Sequence, residues 1–191
     1  MRVIAGKYRS RPLQSMPGME IRPTSDRLRE TLFDVLCAGN KNALSGMMFV
    51  DLFAGTGAVG IEALSRGAGS AVFVESSAKA VALIRENLKS LGVETGYTLV
   101  RADVSSAFRK IEAVGSSAGI VFLDPPYAGQ ALYRETLEAL SQWSGVTAET
   151  IVIAEHDKRF DPDAEVGSLR KYRKLTQGDA ALSFYKKGLN P

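Results

Sequence analysis

The sequence predicts an α/β protein: a seven-stranded, mostly parallel sheet with an antiparallel last strand, preceded by a small N-terminal arm. Three observations predict it. Short apolar runs at 47–53, 70–75, 119–123 and 150–155 read as buried strands, and the stretches between them carry apolar residues at helical spacing. A glycine turn, Gly55-x-Gly57-x-x-Gly60, directly follows the first run and opens a helix. The chain closes on two alternating segments, 169–176 and 180–186, around Gln177-Gly178-Asp179, the pattern of a hairpin.

Each element has its own signal. Residues 1–23 stand apart as a basic hairpin or extended arm, and 24–191 form the main domain. Thr24-Ser25 caps a helix whose stripe is Leu28, Leu32, Val35 and Leu36, ending near Gly39. A loop over 39–46 leads into the strand at 47–53. The helix from Ala58 ends at about Arg66, with Gly67 and Gly69 behind it. Ser70–Glu75 is the second strand, followed by a helix over 77–90. Residues 96–101 form the third strand and 104–111 the next helix. The fourth strand is 119–123, a helix spans 132–143, and the fifth strand is 150–155. Residues 156–168 read as a polar loop in which His156, the only histidine, lies at the surface.

Composition narrows the function. At 191 residues, with 45% hydrophobic and 24% charged residues, the chain has the makings of one soluble globular unit. A single cysteine, Cys37, excludes an internal disulfide and a cysteine-based metal site, and fits a reducing compartment. The N-terminus lacks the apolar run of a signal peptide, and no stretch reaches the ~20 apolar residues of a membrane span. A cytoplasmic address with no membrane and no metal is expected. The net charge of +3 is unevenly spread: residues 1–22 carry +4, residues 168–191 carry +5, and the middle carries −6. Basic ends on an acidic body point to a polyanion touched by the termini, or to solvated tails.

The candidate cofactor residues gather at strand ends. Glycines 55 and 57 let the backbone pass close under a ligand, with Phe53 and Thr56 beside them. The same letters match a dinucleotide fingerprint, but Asp51, four residues before Gly55, disfavours a pyrophosphate and favours a ligand carrying a cationic amino group. S-adenosylmethionine has one, and the acid-x-x-x-Gly-x-Gly spacing resembles the first motif of class I methyltransferases, a Rossmann-like fold. Glu75, 20 residues after Gly55 and followed by Ser76, sits where a carboxylate accepts ribose hydroxyls, or else serves the next helix as its cap. Ala102 and Asp103 follow the third strand. In the methyltransferase arrangement an acid there reads the adenine amine, and Asp103 can equally cap a helix.

The reactive motif is Asp124-Pro125-Pro126-Tyr127. Two prolines remove two N–H donors and leave acceptors, the Asp124 carboxylate and the Pro125 carbonyl, opposite the donors of an exocyclic nucleobase amine. Tyr127 offers a flat face for the base. Such an amine is a poor nucleophile because its lone pair is delocalised. Accepting its hydrogens redirects the lone pair toward a sulfonium methyl, so positioning and electrostatics do the chemistry without a metal.

Taken with the basic arm and the block Arg22-Pro23-Thr24-Ser25-Asp26-Arg27-Leu28-Arg29-Glu30, these motifs resemble the RsmD-type family over nearly the whole chain. That family methylates N2 of a guanine in bacterial 16S, small-subunit ribosomal RNA. The resemblance implies S-adenosylmethionine as cofactor, a flipped-out guanine as target, and a small-subunit assembly particle as partner; the compact single domain fits a monomer. It also implies that Arg22, Thr24, Arg27 and Arg29 serve the site or the RNA. Tyr8 between Lys7 and Arg9, with Arg11 close by, adds a stacking aromatic among phosphate-seeking charges, or a strand edge packed on the body. Three other functions compete. An adenine-N6 methyltransferase acting on DNA or RNA would use the same motif, a silent RNA-binding protein would not need it, and a nicotinamide dehydrogenase is opposed by Asp51.

Overall fold

A computed structural model describes residues 1–15, 24–113, 117–126 and 130–188. In chain order the elements are α1 (Asp26–Leu36), β1 (Met48–Leu52), α2 (Ala58–Ser65), β2 (Ser70–Glu75), α3 (Ala78–Ser90), β3 (Tyr97–Arg101), α4 (Val104–Glu112), β4 (Ile120–Leu123), α5 (Gln130–Gln142), β5 (Ile151–Asp157), β6 (Glu165–Val166), β7 (Leu169–Gln177) and β8 (Ala180–Lys187). They form one sheet in the order β3-β2-β1-β4-β5-β8-β7-β6. The first five positions pair in parallel; β5–β8, β8–β7 and β7–β6 are antiparallel. The order reverses direction between β1 and β4, the place where an open α/β sheet leaves a crevice beyond its carboxyl ends.

The sheet separates two layers of helices. Val50, Leu52, Val121, Leu123 and Tyr185 face α4 and α5 in one cluster with Phe108, Leu137 and Trp143. Phe49, Phe122, Ile153 and Phe184 face the other way onto Leu28, Leu32 and Phe33 of α1. Ala71 and Phe73 meet Ile61, Ile84 and Leu88 of α2 and α3. The central strands are apolar throughout because they are covered on both faces, which leaves Asp51 as the one carboxylate within β1.

Two expectations are corrected. Among the described residues the sheet has eight strands: the polar loop contains β6, whose two residues pair with Arg170 and Leu169 and are too few to show an alternating pattern. His156 is not at the surface. β5 runs on through Asp157 to pair with β8, so His156 is 2% exposed, with Nδ1 2.9 Å from the Asp157 carbonyl and Nε2 2.9 Å from Ser183 Oγ. A carbonyl only accepts, so Nδ1 carries the proton and Nε2 accepts from the serine. Burial pushes the histidine pKa down and keeps the ring neutral.

The arm folds back as a small loop closed by an Arg2–Pro12 bridge. It docks on the outer side of α2. The backbone N–H groups of Ile4 and Ala5 donate to Glu62 at 2.8 and 3.0 Å, and Lys7 donates to the Ser65 carbonyl at 2.7 Å. Gln14 exchanges bonds with Asn87 of α3, whose amide also donates to the Thr56 carbonyl in the glycine turn. Val3 and Leu13 complete the contact as buried residues of the α2–α3 cluster.

Candidate active site

The site is assembled from the turn after β1. Ala54 donates to the Val74 carbonyl and Gly57 to the Ala54 carbonyl, at 2.9 and 2.7 Å, which fixes the turn against β2. Gly55 and Gly57 have φ of +53° and +76°, where a side chain would be strained, and Phe53 adopts φ +61° without being glycine. A left-handed phenylalanine is held only where its surroundings impose it, and such residues gather at ligand sites. Gly60 has a different role: a Cβ there would stand 2.4 Å from the Phe73 ring, so it permits α2 to lie close on β2.

Around this turn the carboxylates converge. Asp51 is 2% exposed and accepts the Gly60 N–H at 2.9 Å, tying β1 to the first turn of α2. Burial pushes its pKa up to about 8, against the lowering effect of that hydrogen bond, with Glu75 and Glu155 adding repulsion. Glu75 ends β2, accepts from Gly55 N at 2.9 Å and Ser77 N at 2.8 Å, and thereby braces the turn across the crevice. Ser77 rather than Glu75 caps α3. Phe53, Val74, Glu75, Ser76, Ala102 and Val104 line a small pocket here: an apolar slot with one carboxylate at its rim. Asp103 occupies the N-cap position of α4, yet its side chain makes no capping bond, so of its two anticipated roles helix capping is not the one the carboxylate performs.

Asp124 follows β4 directly. Register places Phe122 beside Asp51 and Leu123 beside Ala154, so Asp51, Asp124 and Glu155 follow one another across β1, β4 and β5 at the same end of the sheet. Burial raises the Asp124 pKa well above the usual carboxylate range, and Glu155 and then Asp51 raise it further. Pro125 is buried and Pro126 exposed. Tyr127 and Arg22 lie outside the described residues.

Glu155 escaped the sequence reading, although an acid ending an apolar strand is the pattern that identified Asp51 and Glu75. It is buried, accepts a 2.6 Å hydrogen bond from Thr24 Oγ1, and its carbonyl accepts from Tyr133. Two residues anticipated at the RNA are corrected by burial. Thr24 is turned inward to Glu155. Arg29 is fully buried, donates to the Arg2 carbonyl, and pairs with Asp26 at 2.9 Å, with Glu62 3.9 Å away. Both sit on the inner side of the α1 amino end, where a helix packed on the sheet offers no solvent. Arg27, Arg9 and Arg11 are exposed. Tyr8 is half-buried on the α2–α3 cluster with Lys7 5.2 Å over its ring, and Arg11 donates to the Ser90 carbonyl. Among the described residues no cluster of three or more His, Cys, Asp or Glu could hold a metal, and no helix is long and apolar enough to cross a membrane.

The family profile described as conserved hypothetical protein 95 matches residues 1–186. Bacillus subtilis YlbH, described as a putative rRNA methyltransferase, is 34% identical over 187 residues, covering 98% of this chain and 99% of its own. Ribosomal RNA small subunit methyltransferase D of Escherichia coli K12 is 30% identical over 189 residues, covering 98% and 90%. Among solved structures, Escherichia coli yhhF, described as a putative methyltransferase, superposes over 100% of this chain and 99% of its own, with a TM-score of 0.81 and 26% identity. A hypothetical protein of Thermus thermophilus superposes over 96% and 98%, with a TM-score of 0.79 and 32% identity. The carboxylate-lined crevice over a glycine turn thus lies within a fold and a sequence shared from end to end with these proteins, and the chain belongs to the conserved hypothetical protein 95 family, that of the RsmD-type methyltransferases.

Proposed function

We propose that this protein transfers a methyl group from S-adenosylmethionine to the exocyclic N2 amine of a guanine in small-subunit ribosomal RNA. The observation that carries the reading is the placement of Asp124-Pro125-Pro126 at the end of β4, beside the turn and the slot at the ends of β1 and β2. The relatives' names, which speak of ribosomal RNA, supply the substrate class.

The residues fit the cofactor. Phe53, Val74, Ala102 and Val104 offer an apolar slot of the kind an adenine fills, Glu75 a carboxylate for ribose hydroxyls, and Asp51 a carboxyl group whose ionised form suits a cationic amino group. When bound, the cofactor supplies an electrophilic methyl on a sulfonium. The remainder is done by the chain. Asp124 and the Pro125 carbonyl accept the amine hydrogens and aim its lone pair. Pro125 and Pro126 present no competing N–H. Asp124 is placed to take the proton that the methylated amine sheds, and burial beside Glu155 makes it a stronger base than an ordinary aspartate. The protein acts as a monomer on an assembling small-subunit particle.

The test is incubation with labelled S-adenosylmethionine and small subunits lacking the modification, followed by digestion to nucleosides. Label in N2-methylguanosine is expected. Label in N6-methyladenosine would keep the chemistry and overturn the target. Absence of label from RNA, with methylation of another substrate, would overturn the RNA assignment.

A further inference from the structure

The basic carboxyl-terminal segment forms a shaped surface. β7 reads Leu169-Arg-Lys-Tyr-Arg-Lys-Leu-Thr-Gln177, four cations and no acid. A β-bulge between Lys171 and Arg173 leaves Tyr172 without a partner in β8. Strand alternation would send Tyr172 and Arg173 to opposite faces. The bulge instead lets both lean on one ring: Tyr172 lies 6.3 Å from the Phe184 ring, and the Arg173 guanidinium 5.8 Å from the same ring. Phe184 belongs to the cluster facing α1, so both side chains lean to that face of the sheet.

The other cations of the strand are engaged. Lys171 and Lys174 pair with Asp161 at 2.7 and 3.2 Å, and Arg170 with Glu165 at 3.4 Å. Arg173 and Lys186 form no ion pair among the described residues. Tyr172 is 52% exposed, one of two large exposed hydrophobic side chains described, the other being Met47. Protection of a sheet edge would be met by the lysines and the bulge alone. It does not require an exposed aromatic ring beside an uncompensated guanidinium.

From this juxtaposition we infer that Tyr172 and Arg173, with Lys186, form a second RNA-contact surface, which takes an unpaired nucleotide by stacking on the tyrosine and its phosphate by the guanidinium. The inference rests on the RNA reading above. Single-stranded RNA is favoured because a flat ring flanked by cations matches base and phosphate together, whereas a protein partner of this patch would have to supply both apolar and acidic groups. Distance allows it. Arg173 pairs with Phe184, which pairs with Ile153, two residues before Glu155. Strand spacing puts the Arg173 backbone about 12 Å from that of Glu155, a span of about two nucleotides.

The experiment compares wild type, Tyr172→Ala/Arg173→Gln, Tyr172→Phe and Arg9→Ala/Arg11→Ala. It uses binding of a fluorescent single-stranded oligoribonucleotide carrying the methylated sequence, across salt concentrations, with binding of S-adenosylmethionine alongside. The β7 double variant is expected to bind RNA about tenfold more weakly with a salt dependence shallower by about one counterion, while cofactor affinity and melting temperature hold. Tyr172→Phe, which keeps the ring, is expected to bind as wild type. Unchanged RNA affinity in the double variant, with loss only in the arm variant, would overturn the inference and leave the RNA reading standing. Unchanged oligonucleotide binding with weakened capture of whole small subunits would overturn it in favour of a protein contact. Failure of the wild type itself to bind or methylate any RNA would overturn both.

Discussion

Thr24 Oγ1 donates to Glu155 Oε2 across 2.6 Å, and both residues are buried. The bond joins the amino end of α1 to the carboxyl end of β5, one strand from Asp124. The acid therefore has two effects: it anchors the segment leading into α1, and its charge holds up the Asp124 pKa.

Glu155→Gln keeps the shape and can still accept from Thr24, but removes the charge. The acid limb of the kcat profile is expected to move to lower pH, since Asp124 then ionises more readily, with little change in cofactor affinity. A pH–rate series on both proteins checks this, and an unmoved limb would mean that Asp124 does not govern it.

Asp124→Ala is expected to retain S-adenosylmethionine binding and lose turnover by at least about 100-fold, the scale of a lost proton acceptor. Calorimetry and methyl-transfer rates measured on one preparation separate the two effects.

Asp51 makes cofactor binding depend on pH. Its carboxyl, pushed up to about 8, is mostly protonated near neutrality, whereas a cationic amino group binds the carboxylate. Affinity is expected to rise with pH, by up to about tenfold per unit, until about pH 8 and then level off. The same raised pKa means that this group's contribution to folding is present at low pH and is lost as pH rises from the usual carboxylate range through 8. Asp51→Asn should bind more weakly at high pH with no such slope.

Glu62 is fully buried in α2, accepting from Ile4, Ala5 and, at 2.7 Å, Arg66, with Arg29 at 3.9 Å. Glu62→Ala leaves Arg66 Nε and the two arm N–H groups without their acceptor, and removes the carboxylate that faces the buried Arg29 guanidinium. A loss of about 3–5 kcal/mol is expected on chemical denaturation, with the arm opened to proteases at Lys7 and Arg9.

Arg9→Ala/Arg11→Ala is expected to weaken RNA binding and flatten its salt dependence by about two counterions, with stability nearly unchanged because both side chains are exposed. Filter binding across salt concentrations reads both.

Local chemistry made much of this protein legible from its letters. The apolar run through Phe53 and the glycines at 55 and 57 declare a buried strand and a tight turn, because apolar side chains favour that burial and glycine adopts those positive φ angles without strain. Ser25 announces the start of α1 and accepts the Leu28 N–H as a cap should. Asp124 at the end of an apolar strand marks the reactive edge in the same way. Tertiary structure decided what depends on partners distant in sequence. Arg29, read beside Arg27 as an RNA contact, is buried because α1 turns that side toward Glu62 of α2. His156 is interior because β8 returns to cover β5, and a lone polar residue carries no periodicity to reveal it. Thr24 and Glu155 meet across 131 residues, and no local pattern specifies a pair whose reason to exist is a layer of packing between two elements.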